Sequence, residues 1–141
     1  MKANPYINPV PTKDGQVLGY VHSLETFCAV VCPCCRFGSF LQGCILRCMF
    51  CHNPDTWKKN VGTQMTASEL LEKALPYRAF WGEDGGITLS GGEILLQPEF
   101  ALEVFKKCKE HGVSTCLDTC GAPFTRREPW FSLFNELLEY T

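Results

Sequence analysis

Apolar and polar positions fall along this chain in blocks of changing period. Residues 37–42, FGSFLQ, form a short apolar run that reads as a buried strand. From Thr66 the text TASELLEKAL turns to helical spacing, with Leu71, Ala74 and Leu75 on one face and a Thr66/Glu69 capping box at its start. Pro76 should kink or end that helix. Residues 85–90, GGITLS, are short and β-branched, a second strand. Pro98 opens a second helix whose inner stripe is Phe100, Val104, Phe105 and Cys108. Glu99 and Glu103 lie early in it and Lys106, Lys107 and Lys109 late, which suits the helix dipole, and Gly112 stops it. Residues 113–118, VSTCLD, read as a third strand. A third helix follows Pro129, with Trp130, Leu133, Phe134, Leu137 and Leu138 at helical spacing.

The order is therefore strand then helix, repeated. This predicts an α/β domain with a parallel sheet of strand–helix units. A cysteine-rich loop follows the first strand, Gly91-Gly92-Glu93 follows the second, and Asp118-Thr119 ends the third. In a parallel sheet all three lie at the carboxyl edge, where α/β proteins assemble their sites. Residues 1–16 are polar and proline-rich and read as a flexible leader, with residues 17–141 as one core domain.

Composition narrows the class. Of 141 residues 45% are hydrophobic and 20% charged, an ordinary globular balance. The net charge is −2, with no basic block that would indicate nucleic acid. No apolar run is long enough to span a membrane, and the N-terminus has no apolar signal segment, so a cytoplasmic protein is expected. Ten cysteines in such a chain then read as reduced thiols, some of them ligating metal, in preference to a disulfide framework.

The chemistry concentrates at residues 41–57, LQGCILRCMFCHNPDTW. Cys44, Cys48 and Cys51 make a C-x3-C-x2-C pattern. A structural zinc site wants four protein ligands, and the local motif supplies three. A fourth thiolate from Cys28, Cys32, Cys34 or Cys35 keeps zinc open. A four-iron cluster uses thiolates readily. With three of them, one iron is left without a protein ligand and is free to bind and polarise a substrate.

That spacing, with the aromatic Phe50 before its third cysteine, resembles the radical S-adenosylmethionine enzymes. The resemblance implies a partial TIM-type (β/α)6 barrel, of which this chain would be the N-terminal half. It implies a [4Fe-4S] cluster on Cys44, Cys48 and Cys51, and S-adenosylmethionine chelated to the open iron. It assigns Phe50, Gly91, Gly92, Glu93, Asp118 and Thr119 to cofactor binding. Glu93 would face the methionyl ammonium, and Asp118 and Thr119 would also help hold a monovalent cation. His52 and Asn53 would support the cluster from behind. Further likeness runs through GYVHSLETF (19–27), RFGSFLQGC (36–44), CHNPDTW (51–57), SGGEILLQPEF (90–100) and TCLDTCG (115–121). These segments are similar to the pyruvate formate-lyase activating enzymes. The implied activity is installation of a glycyl radical on a pyruvate formate-lyase-like partner, with a flavodoxin- or ferredoxin-type reductant.

Two features depart from that pattern. VCPCC, residues 31–35, stands where the family carries a Gly/Asp-rich turn, which puts the turn's shape and its partner contacts in question. The text also ends where the family's fourth strand should begin, so a C-terminally truncated chain with an exposed sheet edge and poor solubility is expected. Two other functions stay open on the residues alone: an activator of anaerobic ribonucleotide reductase, and a non-catalytic iron–sulfur or zinc module.

Other polar residues read more plainly. His22 is structural, and His111 suits a helix C-terminus. Cys108 and Cys116 are small core residues. Trp57, Tyr77, Phe80 and Trp81 belong to packing, and Arg36 and Arg47 to the solvated surface.

Overall fold

The architecture comes from a computed structural model and is described for residues 11–28, 35–51 and 54–141; of Phe27 and Cys28 only the backbone is described. Six strands form one mixed sheet. β1 (Thr12–Lys13) and the start of β2 (Gln16–Cys28) make a hairpin over Asp14 and Gly15, whose φ values of 52° and 76° suit a two-residue turn. Further along, β2 pairs with β4 (Thr63–Thr66) through Leu18–Val21, and with β3 (Arg36–Leu41) through Val21–Cys28. All three pairings are antiparallel. β3 then runs parallel to β5 (Gly86–Gly91), and β5 parallel to β6 (Ser114–Leu117). The strand order is β1-β2-β3-β5-β6, with β4 beside β2.

The expected parallel unit is present in β3, β5 and β6, but the sheet as a whole is mixed and open. The leader expectation changes too: residues 1–10 lie outside the described ones, whereas Thr12 and Lys13 are already paired. β2 escapes a pattern reading because it is half-exposed and broken by Gly19, His22 and two register shifts. Gly19 is required by packing, since a Cβ there would strike the Phe100 ring.

The helices follow their sequence signals closely. α1 (Ala67–Ala74) opens on a complete capping box: the Glu69 N–H donates to Thr66 Oγ1 at 3.2 Å, and the Thr66 N–H to Glu69 Oε2 at 3.1 Å. Pro76 lies in the 3-10 turn, Leu75–Phe80, that succeeds it. α2 (Pro98–Glu110) buries Phe100, Val104, Phe105 and Cys108 as expected, and Gly112 ends it at a φ of 65°. α3 (Trp130–Glu139) buries Phe134 and Leu137, but Leu138 is 57% exposed, so its apolar stripe is narrower than the spacing implied. α2 packs between α1 and α3 and against β2 and β6. Phe37, Phe100, Phe105 and Phe134 are fully buried, each contributing about 2–3 kcal/mol of apolar burial.

Arg36 is the clearest correction. It is 3% exposed, not solvated. Its guanidinium donates to Thr88 Oγ1 (2.8 Å), to the Ile87 carbonyl (3.0 Å) and to the Ser114 carbonyl (3.1 Å), and also reaches the Asp84 carbonyl and Ser114 Oγ. From the first residue of β3 it ties the amino ends of β5 and β6 together. Only a planar fork of five donors meets that many acceptors from one position.

Candidate functional site at the carboxyl edge

β3, β5 and β6 deliver their following loops to one edge, and backbone contacts join them there. Past β5, the Gly92 N–H donates to the Leu41 carbonyl (3.0 Å) and the Glu93 N–H to the Gly43 carbonyl (2.7 Å). This approach requires glycine: a Cβ on Gly92 would strike the Gly43 carbonyl and meet Cys44 Cβ at 3.3 Å, and one on Gly91 would strike the Leu41 backbone. The Gly-Gly pair thus seats the chain's own cysteine loop, bringing Cys44 against Gly92.

Glu93 is 1% exposed and is the hub of the edge. Its carboxylate accepts from the Leu95 N–H (2.9 Å), the Thr119 hydroxyl, the Cys120 N–H (2.8 Å) and the Cys120 thiol (2.6 Å). Two carboxylate oxygens offer about four lone-pair sites, so these donors fill them. Beside it, the Ser90 hydroxyl donates to Asp118 Oδ2 at 2.7 Å, and the Asp118 N–H to the Leu89 carbonyl at 3.0 Å. Burial first, and then the bond to Glu93, push the Cys120 thiol up to about 11. Cys108, in the core, is pushed up to about 12 by burial.

The cysteine loop leaves this edge with its tip toward solvent. Cys44, Cys48 and Cys51 are free thiols, each partly exposed, and the Cys51 N–H donates to the Cys48 carbonyl at 3.2 Å. Arg47 sits over the Trp57 ring at 4.9 Å and donates to the Cys44 carbonyl, which turns the chain at a φ of 58°. Met49 is 103% exposed and Phe50 82%.

Comparison with known proteins gives this geometry its family. Residues 38–140 match the model of the Radical SAM superfamily. The chain belongs to that superfamily. Among curated relatives, the pyruvate formate-lyase-activating enzyme of Listeria monocytogenes is 49% identical over 127 residues, which is 89% of this chain and 51% of the relative. The corresponding enzyme of Clostridium pasteurianum is 44% identical over 126 residues (89% and 50%). The pyruvate formate-lyase 1-activating enzyme of Escherichia coli K12 is likewise 44% identical over 126 residues (89% and 50%). The chain spans about half the length of the curated relatives it matches.

A radical SAM protein needs thiolates for an iron–sulfur cluster, and the residues present fit that demand. Among the described residues no three His, Cys, Asp or Glu side chains converge where a single ion would be held. A four-iron cube asks for something else: each thiolate goes to its own iron, so three sulfurs surround the group instead of meeting at a point. Three unpaired, partly exposed thiols on a loop without regular structure, seated against Gly92, satisfy that donor chemistry.

Of the residues singled out from the sequence, the fold joins Cys44, Gly91, Gly92, Glu93, Asp118 and Thr119. Phe50 stays apart, on the exposed loop tip. His52 and Asn53 lie outside the described residues, as do Cys32 and Cys34; Cys35 is a partly exposed free thiol. His22 Nδ1 pairs with Ser23 Oγ at 3.0 Å, and His111 caps α2, both structural as read. Among the described residues no helix is long and apolar enough to cross a membrane.

Three residues of the edge escaped the sequence reading: Cys120, Gln42 and Gln97. Both glutamines carried a signal, since each ends an apolar run, FLQ and ILLQ, where a polar side chain is forced toward the interior.

Proposed function

We propose that the chain is the N-terminal half of a partial (β/α)6 barrel and carries the cofactor-binding machinery of a cytoplasmic glycyl-radical-enzyme activating enzyme of the pyruvate formate-lyase type. Cys44, Cys48 and Cys51 would hold a [4Fe-4S] cluster with one iron free for S-adenosylmethionine. With both groups bound, and an electron from a flavodoxin- or ferredoxin-type donor, the site would supply a 5′-deoxyadenosyl radical, which takes a hydrogen from a backbone glycine of the partner enzyme.

The chain's own part is to bind and orient. Gly91 and Gly92 hold the cysteine loop against the strand ends. Glu93 offers an anion to the methionyl ammonium. Its acceptor sites are filled, so an ammonium held there would take the place of the weakest donor, the Cys120 thiol. Phe50, exposed on its loop, is available to the adenine, and Asp118 with Thr119 to a monovalent cation.

The observation that carries this reading is the junction of Cys44, Gly92, Glu93 and Thr119 at the carboxyl edge of three parallel strands, in a member of the Radical SAM superfamily. Anaerobic reconstitution with iron and sulfide tests it. The expected result is a reducible four-iron cluster whose electron paramagnetic resonance spectrum shifts on addition of S-adenosylmethionine. A bound zinc ion, or a cluster spectrum indifferent to the cofactor, would overturn it.

A further inference from the structure

Gln42 is 4% exposed and lies two residues before Cys44. A side-chain amide buried there is costly unless it is used, and an apolar residue of equal length would fill the same space. It is used at the mouth of the cysteine loop. Gln42 Nε2 donates to the Asp55 carbonyl at 2.7 Å. The next two residues continue the pattern through the backbone: the Gly43 N–H donates to the Thr56 carbonyl (2.6 Å) and the Cys44 N–H to the Trp57 carbonyl (3.1 Å). Three successive residues leaving the sheet thus run alongside three successive residues, Asp55 to Trp57, that follow the last of the three cysteines. The backbone N–H of Gln42 is already committed to the Tyr20 carbonyl at 2.9 Å, so its side chain supplies the rung that the main chain cannot.

Gln97 anchors this neck from behind. Its Oε1 accepts from the Tyr20 N–H at 2.7 Å, while its Nε2 donates to the Tyr20 carbonyl (3.1 Å) and to the Gln42 carbonyl (3.0 Å). One amide therefore joins β2, the end of β3 and the segment that carries Glu93. Both ends of a carboxamide are needed, and neither a carboxylate nor an apolar chain offers a donor and an acceptor together.

We infer that Gln42 is a positioning residue for the cysteine loop: its amide closes the loop's neck, and Gln97 fixes that neck to β2, so that Cys44 and the base of the loop are held in place before any metal binds. The role in metal binding rests on the proposed reading of the loop's cysteines; the role in the neck does not. When bound ligands are held by groups behind them, loss of such a group weakens metal binding without touching a ligand.

Gln42→Met keeps the length and removes the rung. Two measurements on the full chain test it. In the cluster-free protein, hydrogen exchange at the Gly43 and Cys44 amides should quicken about tenfold while α1 amides stay as they are. In the reconstituted protein, iron release to a chelator should quicken about tenfold. Thr66→Ala, at the α1 cap, is the control: it lowers thermal stability and leaves both rates unchanged. Should Gln42→Met not fold, Gln42→Asn, which keeps the amide and shortens its reach, carries the same test. Unchanged exchange at Gly43 and Cys44 overturns the neck. Faster exchange with unchanged iron release, or iron release that follows thermal stability equally in Thr66→Ala, overturns the positioning role. If the wild-type chain takes up no iron, the proposed function fails, and exchange alone still decides the neck.

Discussion

Each end of the parallel strands is gathered around one buried charged side chain, and the two are opposites. At the amino end Arg36, a pure donor, reaches strand carbonyls and the hydroxyls of Thr88 and Ser114. At the carboxyl end Glu93, a pure acceptor, gathers Leu95, Thr119 and Cys120. The partners make the difference. Those of Arg36 belong mostly to strands that cannot move without breaking the sheet. Two of those of Glu93, Thr119 and Cys120, are side chains and backbone of an exposed loop, which on the proposed reading would give way to a ligand. A hub closed by strands serves the fold, whereas one completed by a loop is open to the chemistry proposed for it.

The largest expected effect separates site from scaffold. Cys44→Ala, Cys48→Ala or Cys51→Ala should each abolish cluster uptake, read as iron per chain after reconstitution, while thermal unfolding of the cluster-free chain stays within about 0.5 kcal/mol of wild type. Cys108→Ala should leave the cluster intact. Loss of the fold in the loop variants would erase the division between the two ends.

Arg36→Leu should do the reverse. Leaving the acceptors of β5 and β6 without their donor costs about 3–5 kcal/mol, a fall of roughly 10–17 °C in Tm. A variant that unfolds at the wild-type temperature would deny the amino end its structural role.

Glu93→Gln sharpens the contrast at smaller scale. The new amide turns an NH2 toward donors that need an acceptor, at about 1–3 kcal/mol in thermal unfolding. It should also weaken S-adenosylmethionine binding, which a calorimetric titration of the reconstituted protein reads.

The smallest effect is a pH dependence. The thiolate is the nucleophile, and Cys120, although exposed, reaches half-ionisation only near pH 11. Its alkylation should be slow at pH 8 and climb with each step toward that value. Glu93→Gln removes the facing negative charge, lowers the thiol pKa and should speed the reaction at fixed pH. Rapid labelling of wild-type Cys120 at pH 8 would contradict the bond to Glu93.

Much of the helical and parallel part was legible because its signals are local. The Thr66/Glu69 box, the Phe100–Cys108 stripe and the Gly112 stop each lie within one element. Asp14-Gly15 was an available hairpin signal that the proline-rich surroundings masked. β2 and β4 were not legible: a half-exposed strand interrupted by Gly19, and four residues reading TQMT, have no clear period. At the site, Cys44, Gly92 and Glu93 follow from strand ends meeting at one edge. Arg36 does not, because what buries it lies elsewhere in the chain, and Gln42 and Gln97 carried only the weak signal of ending an apolar run. Thr88 is 52 residues from Arg36 and Tyr20 is 77 from Gln97, and a polar residue read alone defaults to water.

The long strand β2 has one more consequence. It serves three neighbours in turn along its length, Gln16–Val17 to β1, Leu18–Val21 to β4 and Val21–Cys28 to β3. Sliding it by a single residue would turn every side chain to the opposite face and break three ladders together. The strand therefore acts as a ruler: hairpin, flank and the base of the site take their alignment from it, and its two register shifts fall beyond the stretch that it shares with β4.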